Sequence, residues 1–345
     1  MMIYPKEILL IEVPNTPDIP GLRFRRSLGS VDFPQMLKVA HRANLADDVD
    51  EIDSLEDFTA WYDNLKNTDP EKDLFIAEVD DTIVGYGRTT WAEMSAENEV
   101  MYRSFFTLDP EWRNKGIGHA IFPVMLARCD ELATQHDDTW AKAYQSFSGK
   151  GSTSKTRLLE EFGFEEERFF FTMKADLSKP LLNVSLPEGL EIRPVEPAHY
   201  PNIFWALDEA FRDHWGHEDA TDEDYKKWVD RIKTMPSRDP SIWVVAWEGD
   251  EVAGMVLNAI FADENKTLER KWGWTDPICV RRPWRKRGLA SALIVHSQKI
   301  FRDTKGMEFA ALGVDTQNAN GALGLYERCG YEMYNSFVAY RKKME

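Results

Sequence analysis

Apolar and polar positions alternate along this chain in two rhythms, and the same succession of rhythms runs through it twice. Residues 22–27, opened by Gly21, predict a strand, and residues 190–194, opened by Gly189, predict its counterpart. Each is followed by two segments with apolar residues at helical spacing, 33–46 and 55–66 in the first half, 200–213 and 222–235 in the second. Ser54-Leu-Glu-Asp57 and Thr221-Asp-Glu-Asp224 read as capping boxes at two of those helix starts. Strand pairs around tight turns come next: 74–79 with 82–90 across Asp80-Asp81, and 242–247 with 252–260 across Gly249-Asp250. Residues 100–108 then match 272–280, each predicting one strand. Residues 176–187, with two prolines and little periodicity, separate the halves.

The stretch after the strand at 272–280 carries the chemistry. The strand pattern stops at Pro283, because proline brings no N–H to a ladder. Val280-Arg-Arg-Pro-Trp-Arg-Lys-Arg-Gly-Leu-Ala290 leads into a helix over 291–301, with Leu289, Leu293, Ile294 and Ile300 at helical spacing. Gly288 lets a ligand approach the backbone closely. A strand, a basic loop and a bare helix N-terminus set unpaired N–H groups and the helix dipole beside Arg285, Lys286 and Arg287. That is a socket for a pyrophosphate. The first half repeats it without a gap: Leu108-Asp-Pro-Glu-Trp-Arg-Asn-Lys-Gly-Ile-Gly118 lays Trp112 over Trp284, Arg113 over Arg285 and Gly116 over Gly288. Further on, Leu158-Leu-Glu-Glu-Phe-Gly-Phe164 lies over Leu325-Tyr-Glu-Arg-Cys-Gly-Tyr331.

Arg285-x-x-Gly288-x-Ala290 resembles the acyl-coenzyme-A signature of the GNAT superfamily of N-acetyltransferases. Asn320 and Leu325-Tyr326-x-x-x-Gly330-Tyr331 follow at about the distance where that superfamily carries its asparagine and its Leu-Tyr-x-x-x-Gly-Tyr/Phe element. The resemblance covers nearly the whole chain, and the layout is similar to tandem GNAT proteins of the mycothiol synthase-like type. It implies an α/β (α+β) fold of two tandem domains, each a mixed, mostly antiparallel sheet flanked by helices. The expected divisions are 1–175, a linker at 176–187, and 188–345. It also implies transfer of an acetyl group from acetyl-CoA, as co-substrate, to a primary amine by direct attack, the acceptor being a small molecule or a peptide.

Roles follow from the same resemblance. Ile278, Val280, Arg285, Lys286, Arg287, Gly288, Leu289, Ala290, Ser291 and Asn320 would bind the coenzyme, and Tyr326 would be the acid for the departing thiolate. A phenol with pKa near ~10 keeps its proton at neutral pH and can pass it to a basic thiolate. In the first copy Leu159 stands at the position of Tyr326 and Thr153 at that of Asn320. Arg113, Lys115, Gly116 and Gly118 keep the cradle there, so the first copy is expected to hold coenzyme A without turning it over. The base is open between Asp276, aligned with Ser104 but also a turn former before Pro277, and Asp315, which could instead hold the next loop. His214, Trp215, His217 and Glu218 lie where the superfamily closes over its acceptor, and are either acceptor contacts or loop caps. His214 and His217 have no further ligand spaced to complete a metal site, so no metal is expected. The rival reading is an acyl-CoA sensor that binds and never reacts.

Composition narrows the setting. At 345 residues and 43% hydrophobic, with 12 Trp and 19 Phe, the chain can bury two cores. A net charge of -17 disfavours nucleic acid and anionic membranes, and makes the basic loop stand out. Three scattered cysteines form no framework, no apolar run spans a bilayer, and residues 1–14 do not read as a signal peptide; a cytoplasmic setting is expected. Ser148-Gly-Lys-Gly-Ser-Thr153 lacks the spacing of an ATP-binding loop. Arg168-Phe-Phe-Phe171 reads as a buried strand.

Overall fold

The computed structural model describes residues 8–49, 52–94, 97–137, 139–215, 217–317 and 321–344. In chain order the elements are β1 (Leu22–Arg26), α1 (Phe33–Ala46), α2 (Leu55–Asp63), β2 (Leu74–Val79), β3 (Thr82–Met94), β4 (Glu99–Leu108), α3 (Ile117–Ala133), β5 (Ala141–Gly149), α4 (Thr153–Glu161) and β6 (Glu165–Asp176). Then come β7 (Glu191–Ile192), α5 (Tyr200–Phe211), α6 (Asp222–Thr234), β8 (Val244–Glu248), β9 (Glu251–Val256), α7 (Ala262–Thr267), β10 (Trp272–Trp274), β11 (Ile278–Val280), α8 (Leu289–Lys299), β12 (Phe309–Asp315), α9 (Ala322–Arg328) and β13 (Tyr331–Lys343). Among the described residues no helix is long and apolar enough to cross a membrane.

Contacts divide the chain into two compact units, Met1–Glu167 with Phe337–Glu345, and Arg168–Ser336. The units are therefore not the contiguous segments 1–175 and 188–345 expected from the sequence. Phe337–Lys343 of β13 pairs antiparallel with β5 in the first unit, while Phe170–Asp176 of β6 pairs antiparallel with β12 in the second. Either edge would otherwise present a row of unpaired backbone groups.

In the first unit β1, β2, β3 and β4 pair antiparallel in turn and β4 pairs parallel with β5. Alternation along β2 gives the sheet two apolar faces. Leu74 and Ile76 pack with Phe33, Met36, Phe58 and Tyr62 of α1 and α2, whereas Phe75, Ala77 and Val79 pack with Ile117, Ile121 and Met125 of α3. The second unit repeats the plan. Val245 and Trp247 of β8 join Ile203, Ala206 and Ala210 of α5, and Val244 and Ala246 join Leu289 and Leu293 of α8. Helix starts match the capping residues: Ser54 Oγ accepts from the Asp57 amide at 2.9 Å, and Thr221 and Asp224 cap each other reciprocally.

Two expectations need correction. Residues 272–280 are not one strand: β10 pairs parallel with β12, and β11 pairs antiparallel with β9. Between them lie Thr275 and Asp276-Pro277, and proline cannot donate to a continuing ladder. Arg168–Phe171 is strand but not buried, with Phe169 39% exposed and Phe170 and Phe171 half-buried.

β9 and β11 come very close where the site is built. A Cβ on Gly254 would stand 2.8 Å from the Cys279 carbonyl oxygen and 3.1 Å from a Val280 methyl. Gly254→Ala is expected to destabilise the second unit by roughly 1–3 kcal/mol through overpacking, read as a lower thermal midpoint. An unchanged midpoint would show that these strands can part freely.

Candidate active site

The site of the second unit starts from the turn between β11 and α8. Lys286 (φ 61°) and Gly288 (φ 85°) adopt left-handed conformations, and Gly288 caps α8 without any side-chain hydrogen bond. The Ala292 amide donates to the Gly288 carbonyl at 3.2 Å, which leaves the amides of Leu289, Ala290 and Ser291 outside the helical ladder. A Cβ on Gly288 would meet nothing within 4 Å, so the approach to those amides is open. The first unit has the same turn: Asn114 (φ 58°) and Gly116 (φ 84°), with Gly116 capping α3.

An arginine clamp holds each turn in place. Arg285 donates through Nε to the Val280 carbonyl (3.0 Å), through Nη1 to Asp213 (2.6 Å) and through Nη2 to the Ala210 carbonyl (3.1 Å). Asp213 also takes Arg282, and these two guanidinium partners hold its pKa well below the carboxylate range. Arg113 repeats the pattern with the Leu108 carbonyl (3.3 Å), Asp47 and the Ala43 carbonyl (3.5 Å). Sequence reasoning missed Asp213 and Asp47. Both follow the end of the first long helix in their copy, just past Ala210 and Ala43, and the internal repeat could have shown them.

In the second unit a cavity of about 550 Å³ opens beside this turn. Ile278, Val280, Arg285, Lys286, Gly288, Leu289, Ala290, Ser291, His214 and Tyr326 line it, so most of the expected coenzyme residues and the expected acid share one space. Lys286 is exposed, with no ion pair among the described residues, whereas Arg287 turns to the Glu188 carbonyl (3.4 Å). Asn320 lies outside the described residues. Tyr326 is buried, 8% exposed, and its ring centroid lies 6.2 Å from that of Tyr331. Burial raises the Tyr326 pKa, and the charge of Asp276 and the thiols of Cys329 and Cys279 add to the effect. The phenol is therefore protonated at neutral pH.

Asp276 does not line the cavity. Its carboxylate meets solvent yet is densely surrounded by protein, and desolvation pushes its pKa up to about 6, against the opposing pull of Arg238 and the Gly313 amide. His214 is half-buried, lies against Phe211 with ring centroids 4.3 Å apart and planes tilted by 35°, and has its pKa lowered mainly by burial. Asp315 accepts from Arg168 (2.8 Å) and from the Gln317 amide (2.9 Å), so it does hold the following loop. Trp215 packs under Arg168 at 4.7 Å. His217 stands 3.5 Å from Asp208 and 3.6 Å from Asp219, acidic neighbours that sequence spacing did not reveal. Arg212 lies 3.7 Å and 3.9 Å from the same carboxylates. Glu218 is half-buried and away from the cavity lining.

The matching cavity of the first unit is about 210 Å³ and includes Arg113, Gly116, Gly118 and Lys155. Ser152 Oγ donates to Asp47 at 2.6 Å across it, and Lys155 has its pKa lowered to about 8 by burial. Lys115 sits over the Trp112 ring at 4.5 Å. Leu159 is core, packed with Phe122, Phe164 and Tyr340. Ser104, aligned with Asp276, is buried, and its carbonyl accepts from Ser146 Oγ at 2.7 Å.

The acetyltransferase (GNAT) family model matches residues 37–144 and 200–331, which takes in both turns. A mycothiol acetyltransferase of Salinispora arenicola is 23% identical over 321 residues, 90% of this chain and 94% of that protein. One from Thermobispora bispora is 26% identical over 234 residues, 68% and 73% of the two chains. A GCN5-related N-acetyltransferase from Sphaerobacter thermophilus matches in structure with a TM-score of 0.69 at 23% identity, covering 95% of this chain and 97% of its own. A tandem GNAT protein from the clavulanic acid biosynthesis pathway matches at 0.64 and 15% identity, covering 93% and 98%. These structural likenesses establish the fold.

Asp276 carries a pH signature. Its folded pKa of about 6 lies above the ~3.9 of an unfolded aspartate, so the native state holds the extra proton between those values. The stability this contributes is full below about pH 4 and is lost as pH rises through about 6. Asp276→Asn stays neutral throughout, and the fall in thermal midpoint from about pH 4 to about pH 8 is expected to shrink relative to wild type. The same fall in both proteins would mean that Asp276 titrates as an ordinary carboxylate.

Proposed function

The chain belongs to the acetyltransferase (GNAT) family and is an N-acetyltransferase, and from that premise we propose that its working site is the cavity of the second unit. The observation that carries this reading is one cavity of ligand size, about 550 Å³, shared by the bare N-terminus of α8 and by Tyr326. The cavity of the first unit, at about 210 Å³, falls below that range, and Leu159, which stands at the position of the acid, is packed in the core.

Acetyl-CoA fits the second cavity. The amides of Leu289, Ala290 and Ser291, the open approach over Gly288 and the exposed Lys286 suit its pyrophosphate. Arg285 aims the turn rather than meeting the phosphate, because each of its nitrogens already has a protein acceptor. Backbone from Ile278 to Val280 faces the pantetheine and polarises the thioester carbonyl. The acceptor amine, freed of its proton, forms a bond to that carbonyl carbon, and the carbon–sulfur bond breaks. Asp276, poised near neutrality, takes the amine's proton through water, and Tyr326 gives its own to the leaving thiolate. His214, resting against Phe211, bounds the acceptor side. Thr153 and Leu159 leave the first copy without the groups that turnover needs.

The acceptor is a primary amine. Relatives named mycothiol acetyltransferase put mycothiol-related amines first in a screen, followed by aminoglycosides, amino acid conjugates and protein lysines, scored by thiol release from acetyl-CoA. With the best acceptor, Tyr326→Phe is expected to lower kcat by roughly 10- to 1,000-fold while acetyl-CoA affinity stays unchanged. An unchanged kcat at saturation would remove Tyr326 from the reaction.

A further inference from the structure

Among the described residues, the first unit carries a cation with no carboxylate within ion-pair reach. Arg88 of β3 lies opposite Phe105 of β4 in register, and its guanidinium is stacked 4.7 Å from the Phe105 ring and 4.3 Å from that of Trp61 in α2. Register and the two-residue period put Tyr86, Arg88, Arg103 and Phe105 on one face of the sheet. Phe147 of β5 extends it, stacking on Phe105 at 5.7 Å with the planes 4° apart. The chain has 59 acidic residues to 42 basic ones, and Arg25, Arg113, Arg128, Arg168 and Arg285 each face a carboxylate. Among the described residues none lies within ion-pair reach of Arg88.

The two rings hold the guanidinium through their faces, and in this half-buried side chain its N–H groups remain for a partner. Holding a partly desolvated cation without a counter-ion costs free energy. Burial pulls the Arg88 pKa down to about 10; Arg103 adds to the fall, and Tyr62 and Tyr86 oppose it. A guanidinium oriented in this way presents two parallel donors, the geometry that grips a planar carboxylate. The exposed Trp61 ring and the Phe105–Phe147 stack offer apolar surface beside it.

We propose that this cup on the first unit binds a small organic carboxylate carried on an aromatic or apolar body, with Arg88 taking the carboxylate and the neighbouring rings the body. The unit that lacks catalytic groups is then a ligand-binding module for an organic acid, whichever unit performs the transfer.

The test uses the full chain with benzoate, acetate and inorganic phosphate as probes, followed by calorimetry and thermal denaturation. Benzoate is expected to bind wild type and raise its thermal midpoint, with acetate weaker and phosphate without effect. Arg88→Met keeps an apolar stem between the rings. It should lose the benzoate response while its midpoint without ligand is no lower than that of wild type. Arg88→Lys, which keeps the charge but not the fork, should weaken benzoate binding by at least roughly tenfold. The proposal fails if wild type does not bind benzoate, if phosphate binds more tightly, or if Arg88→Lys binds benzoate as wild type does. If Arg88→Met does not fold, wild type and Arg88→Lys decide the matter between them.

Discussion

The arginine clamp is the constraint on which the rest of the site depends. A bare helix N-terminus is useful only if it points somewhere fixed; Trp284 in the turn before α8 is buried against β8 and β9 and donates to Glu248, and the two left-handed residues that follow need a further hold. Arg285 supplies that hold by tying the last residue of β11 to the end of α5 and to Asp213. Charge-assisted hydrogen bonds from a planar fork fix direction as well as distance. The same three contacts recur through Arg113 in the first unit, between β4 and α1. One local solution thus builds the cradle twice.

The copies part where chemistry would begin. In the second unit the strand breaks at Asp276-Pro277, so β10 stays with β12 while β11 leaves for β9 and lines the cavity. In the first unit β4 runs unbroken from Glu99 to Leu108. Ser146 reaches the Ser104 carbonyl across the opening, and the rings of Phe105 and Phe147 stack. Polar groups that would face a substrate in one copy are satisfied by protein or replaced by core residues in the other. The first unit's sheet face also carries Arg88, which has no carboxylate within ion-pair reach among the described residues.

Much of this was legible in the sequence, because repetition amplifies weak signals. The paired Trp-Arg-x-x-Gly turns, the matched helices and the position of Tyr326 are local patterns, and local pattern is what periodicity and motif report. What escaped was tertiary. Asp213 meets Arg285 from 72 positions away and Asp47 meets Arg113 from 66, and no spacing rule couples such pairs. The exchange of closing strands was invisible for the same reason, since Phe337–Lys343 pairs with β5 and Phe170–Asp176 with β12, partners far away in the chain. The break at 275–277 could have been read from Pro277, but the apolar run on both sides outweighed it. The clamp also shows a contact that the motif does not carry: Arg285, expected among the coenzyme-binding residues, lines the cavity and is tied to Val280, Asp213 and Ala210 as well.

The central claim, that one of two similar cradles does the work, is tested most directly by placing the same substitution in each. Gly116 (φ 84°) and Gly288 (φ 85°) share a backbone conformation, so Gly116→Glu and Gly288→Glu impose matched backbone strain and the same negative charge on the anion site. The measurement is steady-state thiol release from acetyl-CoA with a competent amine, on proteins shown by circular dichroism to remain folded. The account predicts that Gly288→Glu abolishes turnover and that Gly116→Glu leaves kcat largely intact. Loss of turnover in a folded Gly116→Glu protein, or its survival in Gly288→Glu, would contradict it.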